Sequence, residues 1–184
     1  MANSQQPNAP KKFHLSQNHH MTIPWKSFTT DESVPAKEAG LRERASIVGR
    51  VGIVMLSCGT GAWRVRDAMN TVARVLGLTC SADIGLSSLQ FTCFINDHSY
   101  SQVLALPNTG VNTDKLNSLE HFVKYFERDF GMATVKQIHT RISEIEKRPV
   151  QYNPVISGFA AALACSGFIF LLGGGIPEID RKSV

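Results

Sequence analysis

The sequence predicts an α+β fold: two helices, a three-stranded antiparallel meander and two further helices, followed by one transmembrane helix. Three observations predict it. Apolar residues recur at three- and four-residue steps from Ala62 to Leu76 and again beyond Asn112. Between those stretches, from Leu78 to Leu106, the period drops to two, as in strands with one covered face. Val155–Ile176 then runs for 22 residues without a charge, and roughly 20 apolar residues are what a helix needs to cross a hydrocarbon core. The competing reading of that stretch is a buried helix of a soluble protein, which its uncharged length argues against.

Residues 1–34 are rich in Asn, Gln, Ser, Pro and His and poor in apolar side chains. Such a segment buries too little surface to offset its ordering entropy, so a disordered tail is expected. His14, His19 and His20 lie in it and read as solvated residues rather than a metal site. An α+β domain is expected over 35–150, a transmembrane helix over 154–176 and a short polar tail over 177–184.

Pro35 opens a helical stretch to about Cys58, charged in its first half and apolar in its second apart from Arg50, Ser57 and the glycines. Gly49 and Gly52 would let this helix pack closely in the interior. Gly59-Thr60-Gly61 breaks it, and a second helix follows from Ala62 to Leu76, with Ala62, Val65, Met69, Val72 and Leu76 inward and Gly77 as terminator. Leu78–Ile84, Leu89–Ile95 and Tyr100–Leu106 alternate as strands, with Asn96–Ser99 as a turn. Pro107–Asn112 is a loop, and Asn112 or Thr113 caps a helix over Thr113–Phe130 that Gly131 ends. Thr134 and Gln137 match a capping box ahead of a helix through Ile145, and Pro149 and Pro154 frame a short link to the apolar segment.

The formal net charge is +4, the pI is near 9.0 and the mean hydropathy is −0.06. The basic residues are scattered and not interleaved with aromatics, so no nucleic-acid partner is expected. Cys58, Cys80, Cys93 and Cys165 form no C-x-x-C pair and read as reduced structural residues; no zinc spacing is present. The first residues lack the apolar core of a signal peptide. Lys136, Arg141, Lys147 and Arg148 precede the apolar segment, against Arg181 and Lys182 beyond it, so the N-terminal side is expected in the cytoplasm and the chain in the cell (inner) membrane.

Few residues carry recognisable chemistry. Gly59-x-Gly61 follows a helix and lacks a third glycine, and Gly173-Gly174-Gly175 has no Lys-Ser/Thr after it, so neither is a nucleotide loop. No nucleophile motif is present, and Asp97-His98-Ser99 reads as a polar turn. No catalytic residue, metal site or cofactor is therefore expected, and the chain does not read as an enzyme.

Two candidate binding sites remain. Arg64 and Asp67 open the second helix and either grip a ligand or partner or form a solvated pair one turn apart. Asn112 and Asp114 stand at a helix N-terminus, where either anion binding or simple capping is open. Within the apolar segment, Gly158, Ala162 and Ser166 lie four apart and would admit another helix closely.

Three stretches carry a family resemblance: VGRVGIVMLSCGTGAWRVRDAMNTVARVLGL, SYSQVLALPNTGVNTDKLNSLEHFV and ISEIEKRPVQYNPVISGFAAALACSGFIFLLGGG. In order and spacing, from Val48 to Gly175, the chain resembles the N-terminal half of the threonine/serine exporter family. The resemblance implies a cytosolic domain ahead of several membrane helices, and proton-driven export of threonine and serine. Arg64 matches the arginine of the family's aromatic-Arg-Val motif and Asp67 the acidic residue after it. Many members carry glutamate where this chain has Gly61 and tyrosine where it has Trp63, which counts against a gating carboxylate there. Members continue through about five helices in this half and need a second membrane half, whereas here the sequence turns polar at Pro177.

One helix does not enclose a path for a zwitterion. The expected function is therefore the N-terminal part of an exporter of small amino acids, truncated or a component, and unable to transport alone. The partners expected are membrane lipid, further transmembrane helices from a second subunit or a homo-oligomer, and a small amino-acid substrate. The alternative is a membrane-anchored regulatory or ligand-binding module without transport activity.

Overall fold

A computed structural model describes residues 23–29, 33–106, 110–148 and 154–172. The expectations for His14, His19 and His20, for Gly173–Gly175 and for the polar tail over 177–184 lie outside the described residues. Six helices and three strands follow in the order α1 (Leu41–Ser57), α2 (Ala62–Val75), β1 (Thr79–Ile84), β2 (Ser88–Ile95), β3 (His98–Ala105), α3 (Thr113–Lys124), α4 (Phe126–Phe130), α5 (Val135–Glu146) and α6 (Pro154–Leu171). The fold class is α+β, with an antiparallel sheet in the order β1-β2-β3.

The helix expected from Pro35 starts at Leu41 instead. Pro35 forms an isolated bridge with Thr134, and the Ala36 N–H donates to Ala133 O at 2.8 Å. The backbone before Gly40 is thus engaged by the segment that leads into α5. Glu43 closes the helix start by accepting from the Gly40 N–H at 3.0 Å. The expected disorder over 1–34 does not extend to Trp25–Phe28, which forms a short 3-10 turn with Phe28 buried. Trp25 and Phe28, three positions apart in a polar stretch, supply the apolar surface that packs this turn.

α1 is the axis of the domain. With α2 it forms a middle layer that covers one face of the sheet, while α3, α4 and α5 pack on its other sides. Val48, Val51 and Met55 of α1 are buried, and so are Val65, Met69 and Val72 of α2. Ala62, expected on the inward face, is exposed, and Ala68 and Ala73 are buried in addition. The glycines of α1 do what the sequence required of them. A Cβ on Gly49 would collide with the Phe91 ring, and one on Gly52 would lie 2.6 Å from Met69 Sδ and 2.8 Å from Leu89 Cδ2. α2 ends at Gly77 with φ +72°; the Leu78 N–H donates to Ala73 O at 2.8 Å and the Gly77 N–H to Arg74 O at 3.1 Å.

The meander keeps the expected alternation: Leu89, Phe91 and Cys93 of β2 are buried and Gln90 between them is exposed. The turn is tighter than the four residues expected. Ile95 pairs with His98, leaving Asn96-Asp97 as a two-residue hairpin with Asn96 at φ 51°.

The single helix expected over Thr113–Phe130 is broken at Tyr125. Neither glycine nor proline marks the break. Phe126 is fully buried, and its ring lies 5.3 Å from that of Phe122 and 6.0 Å from that of Phe130. Packing in this aromatic cluster, rather than local propensity, accompanies the change of course. The Thr134–Gln137 capping box of α5 is formed on both sides, at 3.0 and 3.3 Å.

None of the described residues of α6 belongs to the core. Its 18 residues at ~1.5 Å each span about 27 Å, short of a hydrocarbon core of about 30 Å. Among the described residues no helix is long and apolar enough to cross a membrane.

Replacing Gly52 with alanine pushes a methyl into Met69 and Leu89. Overpacking of this kind costs about 1–3 kcal/mol, and denaturant unfolding of the full chain in detergent should show a loss of that size. An unchanged midpoint would mean that α1 and α2 do not approach as described.

Candidate functional site

The two candidate binding stretches meet at one end of α1. The break after α1 places Gly59 at φ +78°, and the chain before α3 folds against it: the Gly110 N–H donates to Ser57 O at 3.1 Å and the Asn112 N–H to Cys58 O at 3.3 Å. Arg64, at the start of α2, reaches Glu120 of α3 at 3.3 Å and lies 5.3 Å from the centroid of the exposed Trp63 ring. Asp67 is exposed on the same helix and makes no ion pair with Arg64 among the described residues. The partner of Arg64 is thus on another helix, which sequence spacing alone does not reveal.

Asn112 caps α3, its side-chain oxygen accepting from the Lys115 N–H at 3.0 Å, and Asp114 lies in the first turn. Gly158, Ala162 and Ser166 share one face of α6; a Cβ on Gly158 would meet nothing within 4 Å, and the Ser166 hydroxyl donates to Ala162 O at 2.8 Å. Among the described residues that face has no helix against it.

A polar cluster that sequence reasoning passed over lies deeper. Arg50 sits in the middle of the apolar half of α1 with its side chain 5% exposed. Its Nη1 donates to His139 O at 2.8 Å and approaches His139 Nδ1 at 3.3 Å. Its Nη2 donates to Ser143 Oγ at 2.7 Å and ion-pairs with Glu146. All three partners lie on α5. The Trp25 ring covers the cluster, stacked on His139 at 6.0 Å and 5.5 Å from the Arg50 guanidinium carbon. The signal for this cluster was one arginine in an apolar helical run, since a buried guanidinium requires partners.

The protonation pattern follows from the donors. Arginine only donates, so His139 Nδ1 accepts, and the ring proton is on Nε2. Nε2 then donates to Ser46 Oγ at 3.0 Å, and the Ser46 hydroxyl donates to Glu43 O at 2.6 Å. Burial, with Arg50 adding to it, lowers the His139 pKa to about 3, so the ring is neutral at neutral pH. Ser46 and His139 have the spacing of a nucleophile and its base, but the imidazole donates where a base must accept, and Ser46 is fully buried. The cluster joins α1 to α5 and has no catalytic geometry.

The four cysteines are free thiols. Cys80 and Cys93 are cross-strand partners, and the hydrogen bond that the Cys93 thiol donates to Cys80, together with burial, pushes Cys93 well above the ordinary thiol range.

The His139 shift has a definite sign. Above about pH 6.5 the ring is neutral in both folded and unfolded chains, so it contributes no pH dependence. Between about pH 6.5 and about pH 3 the unfolded chain takes up a proton that the folded chain refuses. Stability therefore falls with falling pH by up to about 1.4 kcal/mol per unit in that window. Unfolding of the full chain in detergent should show a loss of about 2 kcal/mol between about pH 7 and about pH 5, and His139→Gln should remove most of it. Arg50→Ala, which strands Glu146 and His139, should cost about 3–5 kcal/mol at neutral pH.

A family model described as "Putative threonine/serine exporter" (ThrE) matches residues 46–179. The match begins within α1, continues through the sheet and α3 to α5, and includes all of α6. No curated protein and no solved structure matches the chain. With most of its length covered by that one match, the chain belongs to the threonine/serine exporter family.

Proposed function

We propose that the chain is the N-terminal part of a threonine/serine exporter, a proton-driven secondary transporter of small amino acids. In this reading the α+β domain sits on the cytosolic face and α6 enters the bilayer. The observation that carries it is the surface of α6: Val155, Ile156, Phe159, Leu163, Phe168, Phe170 and Leu171 are 61–83% exposed. An apolar surface of that kind on a monomer in water marks an interaction site, and lipid covers it on all sides at once. The apolar run of the sequence extends to Ile176, and as a helix from Pro154 it would have a length of about 35 Å, enough for the hydrocarbon core.

One helix does not shield a zwitterion from lipid, so transport needs further helices packed beside α6. Gly158, Ala162 and Ser166 supply the face on which one would pack closely. Arg64 and Asp67, with Asn112 and Asp114 near them at the same end of α1, form the surface for substrate or a partner subunit. The competing reading is an anchored regulatory or ligand-binding module. It draws support from the core of the domain, to which no described residue of α6 belongs.

The chain should pellet with membranes and resist alkaline extraction. Leu163→Arg, at a central-helix cost of about 2.5–3.5 kcal/mol, should release a large fraction. Cells expressing this chain alone should show no threonine or serine efflux above background; co-expression with the further membrane helices of this half and a second membrane half should produce it. A full-length chain that stays in the supernatant as a compact monomer without detergent would overturn the membrane reading. Membrane retention with no efflux under either condition would favour the anchored module.

A further inference from the structure

We propose that the cleft between α3 and α5 binds a phosphate group, held by Arg141 and Arg148. The cleft has a volume of about 200 Å³ and is lined by Asn117, Ser118, His121, Arg141, Ile145 and Arg148. A water occupies roughly 30 Å³ of liquid, so the space admits a tetrahedral anion with part of its hydration. Buried Ile145 forms the floor, and every other lining side chain is polar.

The donors come from both walls. Arg148, just past the end of α5, donates from Nη1 to Ser118 Oγ at 2.6 Å. That partner is neutral, and among the described residues no carboxylate pairs with Arg148. Its guanidinium is thus turned across the cleft by a neutral partner, with donors left for an anion. Arg141, two turns back on α5, is paired with Glu144 at 2.7 Å. Both of these groups are about half exposed, and an exposed pair of this kind contributes only about 0–1 kcal/mol, so an anion competes for Arg141 at small cost. His121 is held from the α3 side by its contact with Tyr125, ring to ring at 4.5 Å, and Asn117 adds an amide from the same helix. Guanidinium groups match phosphate oxygens in fork geometry, and two of them converging with neutral donors make a phosphate site rather than a site for an uncharged ligand.

Two sources present the same chemistry: the phosphodiester of an anionic lipid and a free phosphate anion. The position favours the lipid. Arg148 stands six residues ahead of Pro154, where α6 begins, and basic pockets beside a membrane helix take phospholipid headgroups. The lipid source rests on the reading of α6 as membrane-inserted; the phosphate site itself does not.

Full-length chain in a neutral detergent tests this by native mass spectrometry with added phosphatidylglycerol or phosphatidylcholine, and by equilibrium dialysis with radiolabelled inorganic phosphate. One phosphatidylglycerol should be retained where phosphatidylcholine is not. Arg148→Gln and Arg141→Gln should each weaken retention about tenfold, with Arg148→Lys recovering part of it and Arg66→Gln, outside the cleft, leaving it unchanged. Phosphate binding with the same arginine dependence, and no lipid retention, would assign the site to a free anion. Absence of both, or retention indifferent to both arginines in variants with an unchanged melting temperature, would overturn the proposal. Should Arg148→Gln unfold the chain, the Arg141→Gln result decides alone. A chain released by alkaline extraction that still binds phosphate through these arginines would refute the membrane reading and leave the site standing.

Discussion

A guanidinium held below the surface at the middle of α1 fixes how the domain closes. Arg50 satisfies its terminal nitrogens on three residues of α5, namely His139, Ser143 and Glu146. A one-turn slip of α5 against α1 would break this set of contacts, because the residues one turn along α5 do not repeat the same donors and acceptors. A well-packed hydrophobic pair at this place would hold the helices as firmly but would tolerate sliding. The polar cluster therefore supplies register, and Trp25 closes it from the N-terminal segment.

The opposite side of α1 works by a different constraint. Gly49 and Gly52 bring its backbone against Phe91 and Leu89 of β2 and against Met69 of α2. One helix thus has a polar anchor toward α5 and a bare backbone toward the sheet. Its central place follows from those two features more than from its hydrophobicity, and the cores on both sides share it.

Much of this was legible from local pattern. The period of two in the meander, the glycine stop after α2, the Asn112 cap and the Thr134–Gln137 box all rest on contacts within a few residues, and local rules reach that far. The break at Tyr125 was not legible, because it coincides with the packing of three phenylalanines rather than with a breaker residue. Pro35 likewise pairs with Thr134, a partner a hundred residues away, and helix-start rules do not see it. The candidate site divides along the same line. Arg64 was visible as a motif residue, but its partner Glu120 lies on a different helix. The Arg50 cluster brings together residues that are nearly a hundred positions apart, and only the lone arginine in an apolar run hinted at it.

The join between α5 and α6 is short. Arg148, tied to α3 through Ser118, is followed by α6 after five intervening residues. Six peptide steps extend at most about 22 Å. Anything that immobilises α6 therefore keeps the whole domain within roughly its own radius of that anchor. On such a leash, encounters between the domain and groups beside the anchor become intramolecular, at effective concentrations in the millimolar range. Weak affinities on this face of the domain would then be enough to stay occupied.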